Sequence, residues 1–463
     1  MKETRFVRTF AAALSSAALF LGGARPAAAE APKLSIPFAK TTLDNGLTVI
    51  YHEDHSVPTV VVNVIYAVGS RSEAPKRTGF AHLFEHLMFM GTRRAPTKMF
   101  DAWMEQAGGW NNATTSEDFT DYFDVGPKTT LPMLLWLEAD RLQELGQSMT
   151  LDKLNAQRDV VRNERRQSYE NRPYGNAELK LPELLYPEGH PYHHPVIGSH
   201  ADLEAAGVED VKAFFARYYD PANASLVVAG DFQRTEAEAL VKRYFGAIKS
   251  HGKPVDDSPT RAEGKRITQD AVLTIPDDVQ LARTTLAWTT PKGLTAADAD
   301  LDLAATLLAG GKGSRLYKLL VVEKKLAQSV SAAQNSGLLE SHFEIEVDLR
   351  DTAKKEEVER IVLAELEKLA NKGPLPDELT RAVAGYEMAF VSKLESVRER
   401  AALLNAYQMR VGRPDYVAED LGRYRAVTAS TMQSTVKAML AKPKVVLRVE
   451  PKKSNKSLEG KGH

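Results

Sequence analysis

Apolar positions along this chain fall into two patterns. Short runs rich in Val, Ile and Leu read as strands: Leu47 to Ile50 and Val60 to Tyr66, with Asn45-Gly46 as a turn. Longer stretches with apolar residues three and four apart predict helices near 80–90, 97–107, 128–145 and 150–170. A helix from Val211 to Tyr218 and a strand from Ala224 to Ala229 follow. Residues 251–265, rich in Gly, Pro, Asp and Lys, then break the pattern and read as a linker. Beyond it the order starts again. Strands are expected at Ala271 to Ile275 and Arg283 to Trp288, then a helix at Ala297 to Leu308. Gly310-Gly311-Lys312-Gly313 leads into another helix, followed by strand within Leu339 to Leu349 and long charged helices. The chain closes on a helix (Met432 to Leu440) and a strand (Val445 to Val449). The repeated order over about 200 residues indicates a duplication. Adjacent strands beside long helices favour an α+β fold over strict βαβ alternation. The expected organisation is a leader at 1–29, domains at 30–250 and 266–451 joined by the linker, and a disordered tail at 452–463.

The leader has its own signature. Lys2, Arg5 and Arg8 precede an apolar run from Phe10 to Gly23, and Ala27-Ala28-Ala29 offers small residues for cleavage. That is the pattern of a secretory signal peptide, too short for a spanning helix, with an uncleaved anchor as the alternative. No later stretch approaches 18 apolar residues, so no membrane insertion is expected after cleavage, and the destination is the periplasm.

Composition narrows the chemistry. The 463 residues carry 60 basic and 61 acidic side chains, a net charge of −1, which removes the general case for nucleic acid or an anionic membrane as partner. There is no cysteine, so disulfides, thiolate metal sites and a cysteine nucleophile are excluded. One constellation stands out: His82-Leu83-Phe84-Glu85-His86. On a helix the two histidines, four apart, project from one face and can grip one divalent ion, with Glu85 at the rim of that face. The order H-x-x-E-H inverts the H-E-x-x-H of thermolysin-type enzymes. A surface helix is the bland alternative. Leu83, Phe84, Leu87, Met88, Phe89 and Met90 argue against it, because a polar triplet on so apolar a helix is costly to bury unless paired or metal-bound. Catalytic zinc usually takes three protein ligands, so a third His, Asp or Glu is needed from elsewhere. Glu164 is the best candidate, on a charged helix where Val160, Val161 and Glu164 share a face.

These residues carry a resemblance. The chain resembles the pitrilysin/insulinase-type zinc peptidases, especially small two-domain bacterial members related to mitochondrial processing peptidase. The matching segments are Leu43 to Leu47, Val68-Gly69-Ser70, Gly79 to Phe89, Gly91-Thr92, Asn112 to Ser116 and Val161 to Arg165. The 77 residues between His86 and Glu164 match the family spacing. The resemblance implies two homologous domains, each a mainly antiparallel sheet flanked by helices. It implies one Zn2+ per chain on His82, His86 and Glu164, with Glu85 as general base. It also implies an edge strand, Asn112, Ala113, Thr114 and Thr115, that pairs with substrate backbone. The implied activity is a zinc metalloendopeptidase cleaving peptides or unfolded polypeptides in a chamber.

Two departures qualify this picture. A second glutamate common in the family before the third ligand is here Gln157. In the second half, an Arg and a Tyr that grip substrate in family enzymes are replaced by Val321 and Gln328, with Arg315 and Tyr317 nearby at the wrong spacing. The chain is therefore expected to bear the metal as one subunit of a heterodimer, a homologous partner supplying the Arg/Tyr pair. The alternative is a non-catalytic structural or scaffolding subunit of the same fold. His190, His193 and His194 read as exposed loop histidines, and Gly310 to Ser314 lacks phosphate-loop spacing.

Overall fold

The computed structural model describes residues 34–255 and 266–452. The expected leader, residues 256–265 of the expected linker and residues 453–463 of the expected tail lie outside the described residues.

Eleven strands form two mixed sheets. The first holds β1 (Ala39–Thr42), β2 (Thr48–Glu53), β3 (Thr59–Tyr66), β4 (Trp110–Thr115), β5 (Thr120–Pro127) and β6 (Ala224–Gly230), in the order β1-β2-β6-β3-β5-β4. The second holds β7 (Ala271–Asp277), β8 (Ala282–Thr290), β9 (Ala327–Asn335), β10 (Ser341–Leu349) and β11 (Val445–Pro451), in the order β7-β11-β8-β10-β9. Without β1 the two orders are the same, strand for strand. Each sheet has one parallel pair, β2 with β6 and β7 with β11, where the last strand of a half returns beside an early one. All other pairs are antiparallel. This is the duplicated, mainly antiparallel α+β architecture expected from the sequence.

The central strands show why both sheet faces are covered. Every residue of β6 is buried, as are seven of the eight in β3, so neither strand alternates apolar with polar. Helices of the first half cover one face through Leu134, Leu142, Val211 and Phe215. The other face is covered from the second half. On the helix Val397–Val411, buried Asn405 donates through Nδ2 to Asn63 O (3.1 Å), Asn63 Oδ1 (2.8 Å) and Ser225 O (3.1 Å). The exchange is mutual. The helix Gly175–Leu185 lays Ala177 and Leu185 on Ala287, Val445, Leu447 and Val449 of the second sheet. Just ahead of it, the Tyr174 hydroxyl donates to Leu281 O at 3.0 Å.

The positions of β1, β5 and β9 and the helices Gly175–Leu185, His200–Ala205 and Arg234–Phe245 go beyond the sequence pattern. β5 carries Asp121 and Asp124 within a strand, and Gly175 with Pro182 disguises a helix. The segment after Gly313 is a π-helix, Tyr317–Glu323.

Candidate metal centre

The motif forms the helix Phe80–Leu87, whose Phe80, Leu83, Phe84 and Leu87 face the core while His82, Glu85 and His86 occupy the polar stripe. Its start is built by three devices. Gly79 takes φ +87°, and a Cβ there would lie 2.8 Å from Ile197 O. The first turn of a helix leaves its N–H groups without intrahelical acceptors. Here the fully buried Glu73 carboxyl accepts from Gly79 N (2.9 Å) and Ala81 N (2.7 Å). Thr78 then donates through Oγ1 to Asp202 Oδ2 (2.5 Å) and accepts from Ser199 N (3.0 Å).

Glu164 comes from the helix Leu151–Arg165, capped at its start by the Thr150 hydroxyl accepting from Lys153 N. Arg158 donates to Leu203 O (2.8 Å) and to Ala206 O, Arg162 pairs with Glu204 (2.5 Å), and Arg165 donates to Gly198 O. One segment, Gly198 to Ala206, thus braces both helices that carry His82, His86 and Glu164. Val161 is buried and Val160 is 45% exposed, so the face they share with Glu164 runs from the core to the surface. At 100° per residue Glu164 lies between the two, at the boundary of the apolar stripe.

The structure brings His82, His86 and Glu164 together. Glu164 Oε2 lies 3.3 Å from His86 Nε2 and 3.7 Å from His82 Nε2, and the imidazoles stand nearly perpendicular with centroids 4.8 Å apart. One donor atom from each residue falls within 4.8 Å of the others; among the described residues this is the group with that property. A tetrahedral zinc ion with bonds of about 2.0–2.1 Å spaces its donors by about 3.4 Å, close to the 3.3 and 3.7 Å from Glu164 to the two imidazoles, so the donor set fits the ion.

Electrostatics agree with that fit. Burial, reinforced by His86 and opposed by Glu164, pushes His82 down to about 4, leaving its ring neutral with a lone pair to give. Burial also works against a proton on His86, but the Glu164 hydrogen bond and charge, with Glu85 and Gln157, outweigh it and raise His86. Glu164 is held low, first by its hydrogen bond with His86 and then, against burial, by the charges of His82 and His86. Glu85 is raised by burial, against the pull of Thr115 and His86. A carboxyl shifted upward is better matched to general-base work near neutral pH.

β4 is the free edge of its sheet and lies against the motif helix. Asn112 and Thr114 are exposed, Ala113 is buried and Thr115 is half-buried. Ala113 N donates to Asn112 Oδ1 (2.8 Å), a side chain standing in for a strand partner. Thr115 Oγ1 donates to Glu85 Oε2 at 2.5 Å. This contact, Glu73 and the 198–206 brace carry no sequence signal, because each joins residues that no periodic pattern relates.

The other candidate residues separate cleanly. Gln157 donates to Met90 Sδ (2.8 Å) beside His86 and supplies no carboxylate. His190 is buried and stacks on Tyr186 at 4.6 Å, which corrects the expectation of exposed loop histidines; it accepts from Tyr192 N through Nδ1 (3.0 Å). Arg315 is engaged by Glu378 (2.5 Å) and Gly373 O, Tyr317 and Val321 pack on the second core, and Gln328 is exposed on β9.

The chain has relatives among known proteins. A family profile described as Insulinase (Peptidase family M16) matches residues 48–189, which contain all three donors, and one described as Peptidase M16 inactive domain matches residues 206–386. The zinc protease PqqE of Helicobacter pylori is 31% identical over 367 residues, 79% of this chain and 82% of that protein. A probable mitochondrial-processing peptidase subunit beta of Arabidopsis thaliana is 26% identical over 427 residues, 86% of this chain and 76% of its own. The crystal structure of a protease from Helicobacter pylori superposes with a TM-score of 0.83 at 27% identity, covering 90% of this chain and all of that one. The chain belongs to the insulinase family, peptidase family M16.

Proposed function

We propose that the chain is a zinc-dependent endopeptidase acting on peptides or unfolded polypeptides. In this reading His82, His86 and Glu164 hold one zinc ion and Glu85 is the general base. Asn112, Ala113, Thr114 and Thr115 receive the substrate backbone. The observation that carries the proposal is the meeting of two imidazoles and one carboxylate, 3.3 and 3.7 Å apart, one residue from an upshifted glutamate. When bound, a zinc ion in this donor set supplies Lewis-acid polarisation of a peptide carbonyl and acidifies water. The protein's own part follows. Glu85 takes the proton of the attacking water on Oε1, since Oε2 is occupied by Thr115, and returns it to the leaving amine. The free edge of β4 offers main-chain pairing, which demands extension and little sequence, and so favours unfolded chains.

The reading extends to a partner and a compartment. With Val321 and Gln328 in place of an Arg/Tyr pair, and Arg315 taken up by Glu378, a homologous second chain would supply the missing substrate contacts. The leader sequence supports export to the periplasm, and no described helix is long and apolar enough to cross a membrane.

Glu85→Gln tests the core of the proposal. Zinc content should stay near one per chain while peptide cleavage falls by about 10²–10⁴-fold. A variant that cleaves at the normal rate, or a zinc-stripped chain that does so, overturns it.

A further inference from the structure

We infer that the Thr115 side chain is a positioning residue for the base: its hydroxyl fixes the Glu85 carboxylate, so that Oε1 alone faces the reaction. The inference rests on the proposed role of Glu85. A glutamate keeps several side-chain rotamers unless something holds its carboxylate, and a base works only within hydrogen-bond reach of the proton it takes. Among the described residues, Thr115 provides the side-chain hydrogen bond to Glu85, at 2.5 Å, across 30 positions from the edge strand to the motif helix.

The donor is itself immobilised. Thr115 is opposite Thr120 in the β4–β5 ladder, and Thr120 Oγ1 donates to Val68 O at 2.9 Å. The following turn is gripped by the loop before the motif helix. Ser70 N donates to Ser116 O (3.2 Å), Arg71 N donates to Glu117 O (3.0 Å), and a Cβ on Gly69 would lie 2.5 Å from Ser116 O. The buried carboxylate of Asp118, at the tip, accepts from the Tyr192 hydroxyl (2.7 Å) and from Leu338 N of the second half (2.9 Å), and pairs with Arg71 at 3.1 Å. A hydroxyl held this firmly can donate to one carboxylate oxygen and leave the other free. Thr115 therefore has two separable parts. Its main chain belongs to the strand proposed to hold substrate, and its hydroxyl serves the base. The first acts on KM and the second on kcat.

Thr115→Val and Thr115→Ser separate them. Valine keeps the shape and the strand propensity and removes only the donor. The full mature chain, with any subunit that accompanies it, is assayed on an unstructured peptide, with zinc content measured on the same samples. Thr115→Val should lower kcat about tenfold with KM and zinc content unchanged, and Thr115→Ser should recover most of kcat. A Thr115→Val enzyme with normal kcat, a loss confined to KM, or a Ser variant as slow as the Val variant overturns the inference. Glu85→Gln runs alongside as the reference. If that variant is fully active the base assignment itself has failed, whereas an inactive Glu85→Gln beside a normal Thr115→Val refutes the positioning role alone.

Discussion

Proton competition at the donor cluster gives the sharpest check on its geometry. A histidine must lose its proton to bind a metal ion, so each imidazole that is still protonated weakens binding. The two histidines of the motif are four residues apart, yet the structure places their titrations far apart. Burial takes His82 from 6.5 to about 4, while Glu164 holds His86 above 6.5. The His82 shift corresponds to about 3 kcal/mol in favour of the neutral ring. The sign for the metal-free fold follows from that: as pH falls from 6.5 toward 4 the unfolded chain binds a proton that folded His82 refuses, and His82 costs the fold up to this amount. For zinc, one proton is displaced per ion between about pH 4 and the His86 midpoint. Affinity should therefore fall about tenfold per pH unit there, and be flat above the midpoint. Two ordinary histidines would give about a hundredfold per unit below 6.5. Competition against a chromophoric chelator over a pH series, at fixed ionic strength, reads the slope directly. Glu164→Gln adds a second signature. Without its carboxylate, burial draws His86 down, so the break moves to lower pH while the alkaline plateau loses affinity. A two-proton slope just below the break, or a break that stays put or rises in Glu164→Gln, would refute the arrangement.

Two further outcomes follow from the brace and from the second half. Asp202→Ala removes the acceptor for Thr78 and loosens the start of the motif helix, so zinc affinity should drop about tenfold in the same chelator assay; unchanged affinity would show that the 198–206 segment does not position the ligands. Affinity capture of the chain should bring down a homologous chain whose presence accelerates peptide cleavage, and a purified single chain cleaving at the full rate would remove the need for it.

How much of this was legible in the sequence depends on the range over which each feature is encoded. The motif helix and the Val-rich strands β3 and β6 are local: their apolar spacing and turn residues identify them without neighbours. The duplication was legible because element order is a property of the chain alone. The exchange of the helices Gly175–Leu185 and Val397–Val411 between the two sheets was not, because an amphipathic stripe shows that a helix must be covered and not by which sheet. The same limit hid the groups around the site. His82, His86 and Glu85 share one helical face, but the polar atoms that hold that face arrive from Glu73, Thr115 and Asp202, chosen by the fold rather than by spacing.

This division bears on what the second half contributes. Among its described residues it has no cluster like that of His82, His86 and Glu164, yet it touches the site's framework in two places. Asn405 ties the helix Val397–Val411 to β3 and β6, behind the motif helix, and Leu338 N ends on Asp118 at the tip of the hairpin that carries Thr115. The first contact fixes backbone of β3 and β6, the second holds the Asp118 carboxylate, and neither presents a charged or nucleophilic group to the donors. Here one oxygen of the buried Asp118 carboxylate accepts from Leu338 N across the seam and the buried Asn405 amide nitrogen donates to Asn63 and Ser225, and a polar group is costly to bury without such partners. The second half is thus read as the rigid backing against which the first half holds its edge strand and the donor cluster.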